Sequence, residues 1–378
     1  MNPAFSPETY AFVWDETTNL YQEMMEAEGW VKGNDVMVSA INKITSKFAL
    51  IVIGRCGFGE PMSWNTTAND SRMTLSETLS IVSETAVARL LIPRWVYRLP
   101  IRRLLDIETA FTSLDERIKF LINARRAELE GKDRIGSERK DVFRLMIHAN
   151  EGQGTLSMTD EELAGNTYLL LIAGHETSAK TLDATIGFLA LYEDVQEEVY
   201  NEIRAVLSDH GKLASHFDDL PRLVAVQSCF LEASRLFPAA MTITRGVTET
   251  VVLKTDEEDG HGGQVVLEPG VTFSVDLVGL HYNPKYFPDP EEFRPSRWYG
   301  VTSENDMTTF SFGPRPCIGR KFALTEAVAF LSNLLRDWQL QVVLNPGETK
   351  AQWRARVMKG YAGLTLGVGE FPVRLTRR

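Results

Sequence analysis

The stretch Phe310-Ser311-Phe312-Gly313-Pro314-Arg315-Pro316-Cys317-Ile318-Gly319 decides how the rest of the chain is read. It sets one cysteine in a loop shaped by glycine and proline, immediately ahead of an amphipathic run that predicts a helix to about residue 336. Arg315 lies two residues before the cysteine, and Arg320 and Lys321 follow it. A helix N-terminus and neighbouring cations lower a thiol's pKa, and the thiolate is the form that ligates a metal. Most free cysteines are small buried hydrophobes, and that is the reading for the other two, Cys56 and Cys229. It suits Cys317 poorly. Gly313 and Gly319 have no side chain to block a flat ligand, and Arg315 offers a fork for a carboxylate. A single thiolate also excludes a Cys₄ or Cys₂His₂ zinc site.

The surrounding composition is that of a globular protein: 378 residues, 44% hydrophobic and 24% charged. Cores stop growing beyond roughly 250–300 residues, so one large domain with a distinguishable lobe, or two domains in close contact, is expected. We take 1–378 as a single domain with a helix-rich part, 1–238, and a β-rich part carrying the cysteine loop, 239–378. The 51 acidic residues outnumber the 40 basic ones, for a net charge of −11, which disfavours a general binder of nucleic acid. Three cysteines imply no disulfide framework and point to a reducing compartment. The N-terminus has neither a secretory signal nor a membrane span, and the longest apolar runs, such as 48–53 and 168–172, fall far short of the ~20 residues a span needs. No period of 20 to 50 residues repeats.

Apolar residues at threes and fours predict helices over 12–28, 36–53, 75–91 and 107–129, followed by a polar connector at 131–138. Thr159-Asp160-Glu161-Glu162 has the pattern of a capping box, and the helix it opens continues to about Tyr192. That helix is apolar on most sides around 169–172, so it should run through the protein rather than lie on it. Further amphipathic helices are expected at 194–207 and 223–236, the second led by Pro221 and stopped before Pro238. From Thr242 the character changes: β-branched runs at 247–253, 264–267 and 271–275, with a polar, Gly-rich segment at 255–263, suggest hairpins. A Pro-rich irregular stretch at 283–295, the cysteine loop, its helix and terminal strands complete the chain.

The segment from Phe310 to Gly319 resembles the haem-binding signature of the cytochrome P450 family, F-x-x-G-x-R-x-C-x-G, at every fixed position. The resemblance implies that Cys317 is the proximal ligand of haem iron, that Arg315 holds a haem propionate, and that Phe310 packs beside the sulfur. Gly313 and Gly319 would be part of the same cofactor-binding loop. Two further motifs occur in the family's order. Glu232 and Arg235 lie on one helix face, where an i, i+3 pair is ordinarily a solvated contact, and Phe293-Arg294-Pro295-Ser296-Arg297 follows downstream. The family joins these into a triad, here Glu232, Arg235 and Arg297, with Ser296 standing where many members have Glu.

The remaining motif is Ala173-Gly174-His175-Glu176-Thr177-Ser178, midway along the apolar helix. Polar residues there cost stability unless they have partners or a task, and Thr and Gly can open the backbone ladder to a water. Glu176 and Thr177 resemble the family's distal acid and alcohol, the pair that moves protons during dioxygen activation; Thr177 bonding its own i−4 carbonyl is compatible with that role. A zinc-protease H-E-x-x-H pattern fails because position 179 is Ala179. Arg245 resembles the strand arginine that contacts a second propionate, although a surface strand arginine would look the same. His281 matches a family position near the haem edge, but a lone histidine is more often a structural residue. Asn65-Thr66-Thr67 fits a glycosylation acceptor and, without a secretory signal, is treated as chance.

What the resemblance implies is a cytochrome P450 fold, mainly α with a smaller β region and lacking its N-terminal part, close to fungal microsomal members. Asn2 to Ser6 resemble the family segment just after the third helix, so an N-terminally truncated chain is expected, without the anchor, first strands and first helices. The implied cofactor is haem b (iron protoporphyrin IX). The implied activity is monooxygenation of a hydrophobic small-molecule substrate by O2, with electrons from NADPH-cytochrome P450 reductase, since no G-x-G-x-x-G lies in the sequence. Arg315, Arg320 and Lys321 would mark the docking face, and 169–172 with 239–243 an apolar pocket wall. The family's location is the cytosolic face of the endoplasmic reticulum membrane. The alternatives are a truncated, non-catalytic relative with impaired haem binding and a haem-thiolate isomerase, the latter disfavoured by Thr177.

Overall fold

Thr159 starts the longest helix: its hydroxyl accepts the Glu162 N–H at 3.1 Å, and the Glu162 carboxylate accepts the Thr159 N–H at 2.8 Å. This reciprocal cap satisfies two of the donors a helix start leaves unpaired. In the computed structural model, which describes residues 5–65, 73–130, 142–151, 158–209, 216–254, 263–300 and 308–378, the cap precedes 32 helical residues, Asp160–Leu191 (α6). At 1.5 Å per residue the helix is about 48 Å long. From Thr181 to Leu191 it is buried on every side, so it crosses the core.

The elements before α6 are Pro7–Ala27 (α1), Asp35–Val38 (β1), Ile41–Phe58 (α2), Leu75–Leu91 (α3), Arg102–Glu130 (α4) and Val142–Glu151 (α5). After it come Glu193–Asp209 (α7), Val224–Leu236 (α8), Thr242–Gly246 (β2), Val251–Lys254 (β3), Gln264–Leu267 (β4), Thr272–Asp276 (β5) and Leu277–His281 (α9). The chain ends with Arg320–Asp337 (α10), Trp338–Val342 (β6), Lys350–Val357 (α11), Tyr361–Ala362 (β7), Leu366–Gly367 (β8) and Val373–Arg377 (β9). The fold is mainly helical with small antiparallel sheets, as the pattern predicts. α6 packs against α2, α8 and α10, and α1 closes over α10 and α2. The seam between them holds Phe48 against Phe330 at 4.5 Å between ring centres, and Tyr21 edge-on to Phe330.

The hairpins form a nested pair, with β3 on β4 and β2 on β5. The predicted strand at 247–253 is broken: pairing on β2 stops at Gly246 and resumes only at Val251 in β3. Residues 36–38 are not helical as predicted. They pair with β9, Val38 opposite Val373, in a three-stranded sheet ordered β1-β9-β6. The β-branched pair Val36 and Val38 suits either state, and only a partner more than 300 residues away selects the strand. Pro221 lies in a short 3₁₀ turn, Phe217–Arg222, rather than at the first position of α8. The connector at 131–138, most of 255–263, and Thr66 and Thr67 of the acceptor triplet lie outside the described residues.

Candidate functional site

The cysteine loop is held open by its backbone. A 3₁₀ turn, Thr308–Phe310, leads into Ser311 at φ +58° and Gly313 at φ +79°; glycine takes that left-handed conformation without a Cβ penalty. The Cys317 N–H then donates to the Phe310 carbonyl at 2.8 Å and closes the loop just before α10. Cys317 is exposed, and so are Phe312 and Ile318 beside it, while Phe310 packs against the core. The N–H groups of Gly319 and Arg320 and the Arg320 guanidinium favour a thiolate, but desolvation by the enclosing loop outweighs them and raises the thiol. The lowered thiol pKa predicted from the helix start is therefore corrected: burial outweighs the helix start and raises it.

Arg315 is exposed and makes no ion pair or hydrogen bond among the described residues. Arg245, on β2, reaches the same loop and donates from Nη2 to the Ser311 hydroxyl at 3.3 Å. The other predicted site residues lie along α6. Leu169, 62% exposed, and Ala173 are uncovered, in the half of the helix that precedes its fully buried stretch. One turn further on, the Thr177 hydroxyl donates to the Ala173 carbonyl at 2.7 Å. Glu176 accepts from the Thr365 hydroxyl at 2.7 Å through Oε1, and its Oε2 is buried with no partner among the described residues.

The helix is continuous through this segment, and Gly174 serves packing: a Cβ there would come within 2.9 Å of the Ile53 side chain on α2. The idea that Gly174 opens the ladder is replaced by close helix approach. His175 points the other way, with Nε2 3.0 Å from the Ser46 hydroxyl, and burial pushes it down to about 4, so it is neutral at pH 7. Of the predicted pocket wall at 169–172, Leu171 and Ile172 belong to the core and only Leu169 is open.

Glu232, Arg235 and Arg297 meet in one cluster. Arg235 is fully buried and donates to both Glu232 oxygens at 2.9 Å, and Arg297 Nε adds a third bond at 3.1 Å. The Arg294 N–H and the Trp298 indole N–H fill the remaining positions on the carboxylate. Arg235 Nη1 also donates to the His281 carbonyl, and the His281 ring bonds the Thr308 hydroxyl at 2.7 Å. The cluster thus buttresses the turn that starts the cysteine loop. His281 is structural in this arrangement, fully buried and pushed down to about 4 by burial and by Arg235.

Sequence reasoning missed Thr308, Ser311, Trp298 and Thr365, because a hydroxyl or an indole carries no motif of its own. It also missed Glu326 on α10, a wholly buried carboxyl raised by burial to about 8 and eased only by the Ser178 hydroxyl of α6. Among the described residues no group of three or more His, Cys, Asp or Glu could hold a metal ion. The cysteine loop offers instead one open thiol, the exposed Arg315, Arg245 bonded to it from β2, and the exposed apolar side chains Phe312 and Ile318. These residues fit a flat apolar group bearing a thiophilic metal and peripheral carboxylates.

A family model described as Cytochrome P450 matches residues 1–359. Cytochrome P450 monooxygenase 124 of Postia placenta is 36% identical over 98% of this chain and 71% of its own length. Cytochrome P450 monooxygenase AOL_s00215g278 of Arthrobotrys oligospora is 26% identical over 92% of this chain and 67% of its own length. The chain therefore spans about seven tenths and two thirds of these relatives. A crystal structure of a cytochrome P450, CYP102L1, superposes with a TM-score of 0.78, at 23% identity, over the whole of this chain and 80% of that one.

Proposed function

Because the chain belongs to the cytochrome P450 family, we propose that it is a haem-thiolate monooxygenase. It would insert one oxygen atom of O2 into a hydrophobic small molecule, with electrons from a separate NADPH-dependent reductase. The observation that carries this reading is the single exposed thiol of Cys317, set in a loop braced at Phe310, reached by Arg245 and carrying Arg315. Haem b held through that thiolate supplies the oxygen-activating chemistry, the thiolate's electron density favouring O–O cleavage. Arg315 and Arg245 take the carboxylates at its edge, and Phe310 supports the loop behind the sulfur. Exposed Leu169 and Ala173 offer an apolar surface that would suit a hydrophobic substrate. Exposed Arg315 and Lys321, in a chain of net charge −11, support docking of a reductase at this face.

Glu176 and Thr177 handle protons in this reading. The Thr177 hydroxyl spends its hydrogen on the Ala173 carbonyl, which leaves its lone pairs to accept, while Glu176 Oε2 is the neighbouring site with unused hydrogen-bonding capacity. In the haem-loaded protein, Thr177→Ala is expected to consume reductant at the normal rate while product per reductant falls roughly tenfold and hydrogen peroxide rises in its place. Unchanged coupling in that variant would reduce Thr177 to a helix-shape residue.

For location we propose the cytosolic face of the endoplasmic reticulum membrane. No helix among the described residues is long and apolar enough to cross a membrane. Support comes from the α3–α4 junction, where Leu90 (87% exposed), Leu91, Trp95 and Ile101 stand uncovered among the exposed Arg94, Arg98, Arg102 and Arg103. Apolar side chains interleaved with arginine are the chemistry of an anionic lipid surface. The protein should float with phosphatidylserine-containing vesicles, and Leu90→Asp/Leu91→Asp/Trp95→Ala should stay in the soluble fraction. Failure of the unaltered protein to float would count against this location.

A further inference from the structure

We infer that Thr365 is a positioning residue, which holds the Glu176 carboxylate so that Oε2 alone is presented for proton handling. The inference rests on the reading of Glu176 given above. Its basis is a bond across 189 residues of sequence: Thr365 Oγ1 donates to Glu176 Oε1 at 2.7 Å. A carboxylate can only accept, so the Thr365 hydrogen is committed to it, and the bond is charge-assisted. The other oxygen is buried and has no partner among the described residues. Buried polar atoms are rarely left so, and one such atom on a proton-handling group marks where a further contact is due.

The turn carrying Thr365 is fixed from two sides, so it can serve as a reference point. The Leu366 N–H donates to the Ala239 carbonyl at 3.1 Å, at the head of the predicted pocket wall 239–243. On the other side, β8 lies against α6: a Cβ on Gly367 would come within 2.6 Å of the Lys180 side chain, one helical turn beyond Glu176. Within the turn, the Gly363 N–H bonds the Thr365 carbonyl at 3.1 Å. A glutamate side chain has three rotatable bonds, and without a fixed donor it disperses over several rotamers. Thr365 removes that freedom at the oxygen remote from the proton path, which is a contribution through orientation rather than contact.

Thr365→Val, which replaces the hydroxyl by a methyl of similar size, tests this beside Thr365→Ser, which keeps the hydroxyl. In the haem-loaded protein the Val variant should divert at least threefold more reductant to hydrogen peroxide at an unchanged rate of reductant consumption, and Ser should match the unaltered protein. A second readout needs no haem. In thermal unfolding of the haem-free chain, Thr365→Val and Glu176→Leu should each lower the midpoint, and the double variant should fall no further than the more affected single one. If Glu176→Leu uncouples turnover and Thr365→Val does not, or if the two midpoint shifts add, the inference is overturned and the proposed function stands. If Glu176→Leu leaves coupling unchanged, the proton-handling reading itself fails and takes this inference with it. Should the Val side chain prevent folding, Thr365→Ala, which only leaves space, answers the same question with the same expected outcomes.

Discussion

In the Cys317→Ser protein, the absorption band that marks a thiolate ligand in the reduced, carbon-monoxide-treated form is expected to be absent. Cys56→Ser and Cys229→Ser should keep it. Both of those cysteines are buried at 1% exposure in the apolar core, so neither can meet a metal, and burial raises the Cys229 thiol well above its ordinary value. Cys317 is exposed at the mouth of a loop whose Gly319 and Arg320 N–H groups address its sulfur. A serine hydroxyl there keeps the shape of the loop and loses the soft ligand. Stability should change with it: a ligand that binds only the folded state stabilises by RT ln(1 + [L]/Kd), so added haem should raise the unfolding midpoint of the unaltered protein and not that of the serine variant. A Cys317→Ser protein that kept the thiolate band would show that the ligand assignment is wrong.

Glu232→Ala is expected to cost about 3–5 kcal/mol, because it leaves the Arg235 guanidinium buried at 0% exposure without its counter-charge. Total stabilities are only about 5–15 kcal/mol, so much of the population should be unfolded at 37 °C. The remaining partners of Arg235, the carbonyls of His281, Pro290 and Glu292, accept hydrogen bonds but carry no formal charge. Because Arg235 and His281 lead to Thr308, the loss should reach the cysteine loop, and haem affinity should fall with stability. Arg297→Ala should cost less, since Arg297 is partly exposed and Glu232 keeps its bonds from Arg235, Arg294 and Trp298. Urea unfolding of the three proteins orders them. A Glu232→Ala loss below about 1 kcal/mol would show that the cluster is dispensable.

The residues that address one another locally were legible without a structure. The Thr159–Glu162 cap, the length of α6, the Glu232–Arg235 spacing and the loop from Phe310 to Gly319 all depend on contacts within a few positions, and each is written in consecutive residues. So is the change from helix to hairpin after residue 242, because turn chemistry and β-branching act over short distances.

What tertiary structure decided is whatever depends on a distant partner or on net burial. Residues 36–38 are a strand because β9 lies beside them, and their own propensities do not choose. Local charges argued for a lowered Cys317 thiol, yet the sign is set by how much protein encloses the sulfur, and no sequence window contains that quantity. The hold of Thr365 on Glu176, and the line from Arg235 through His281 to Thr308, join residues that only the folded chain brings within hydrogen-bond range. The sequence alone therefore determined the chemistry available to this protein, because residue type and short spacing specify ligands and caps. The fold determined which groups are desolvated and which are paired, because both are sums over neighbours from the whole chain.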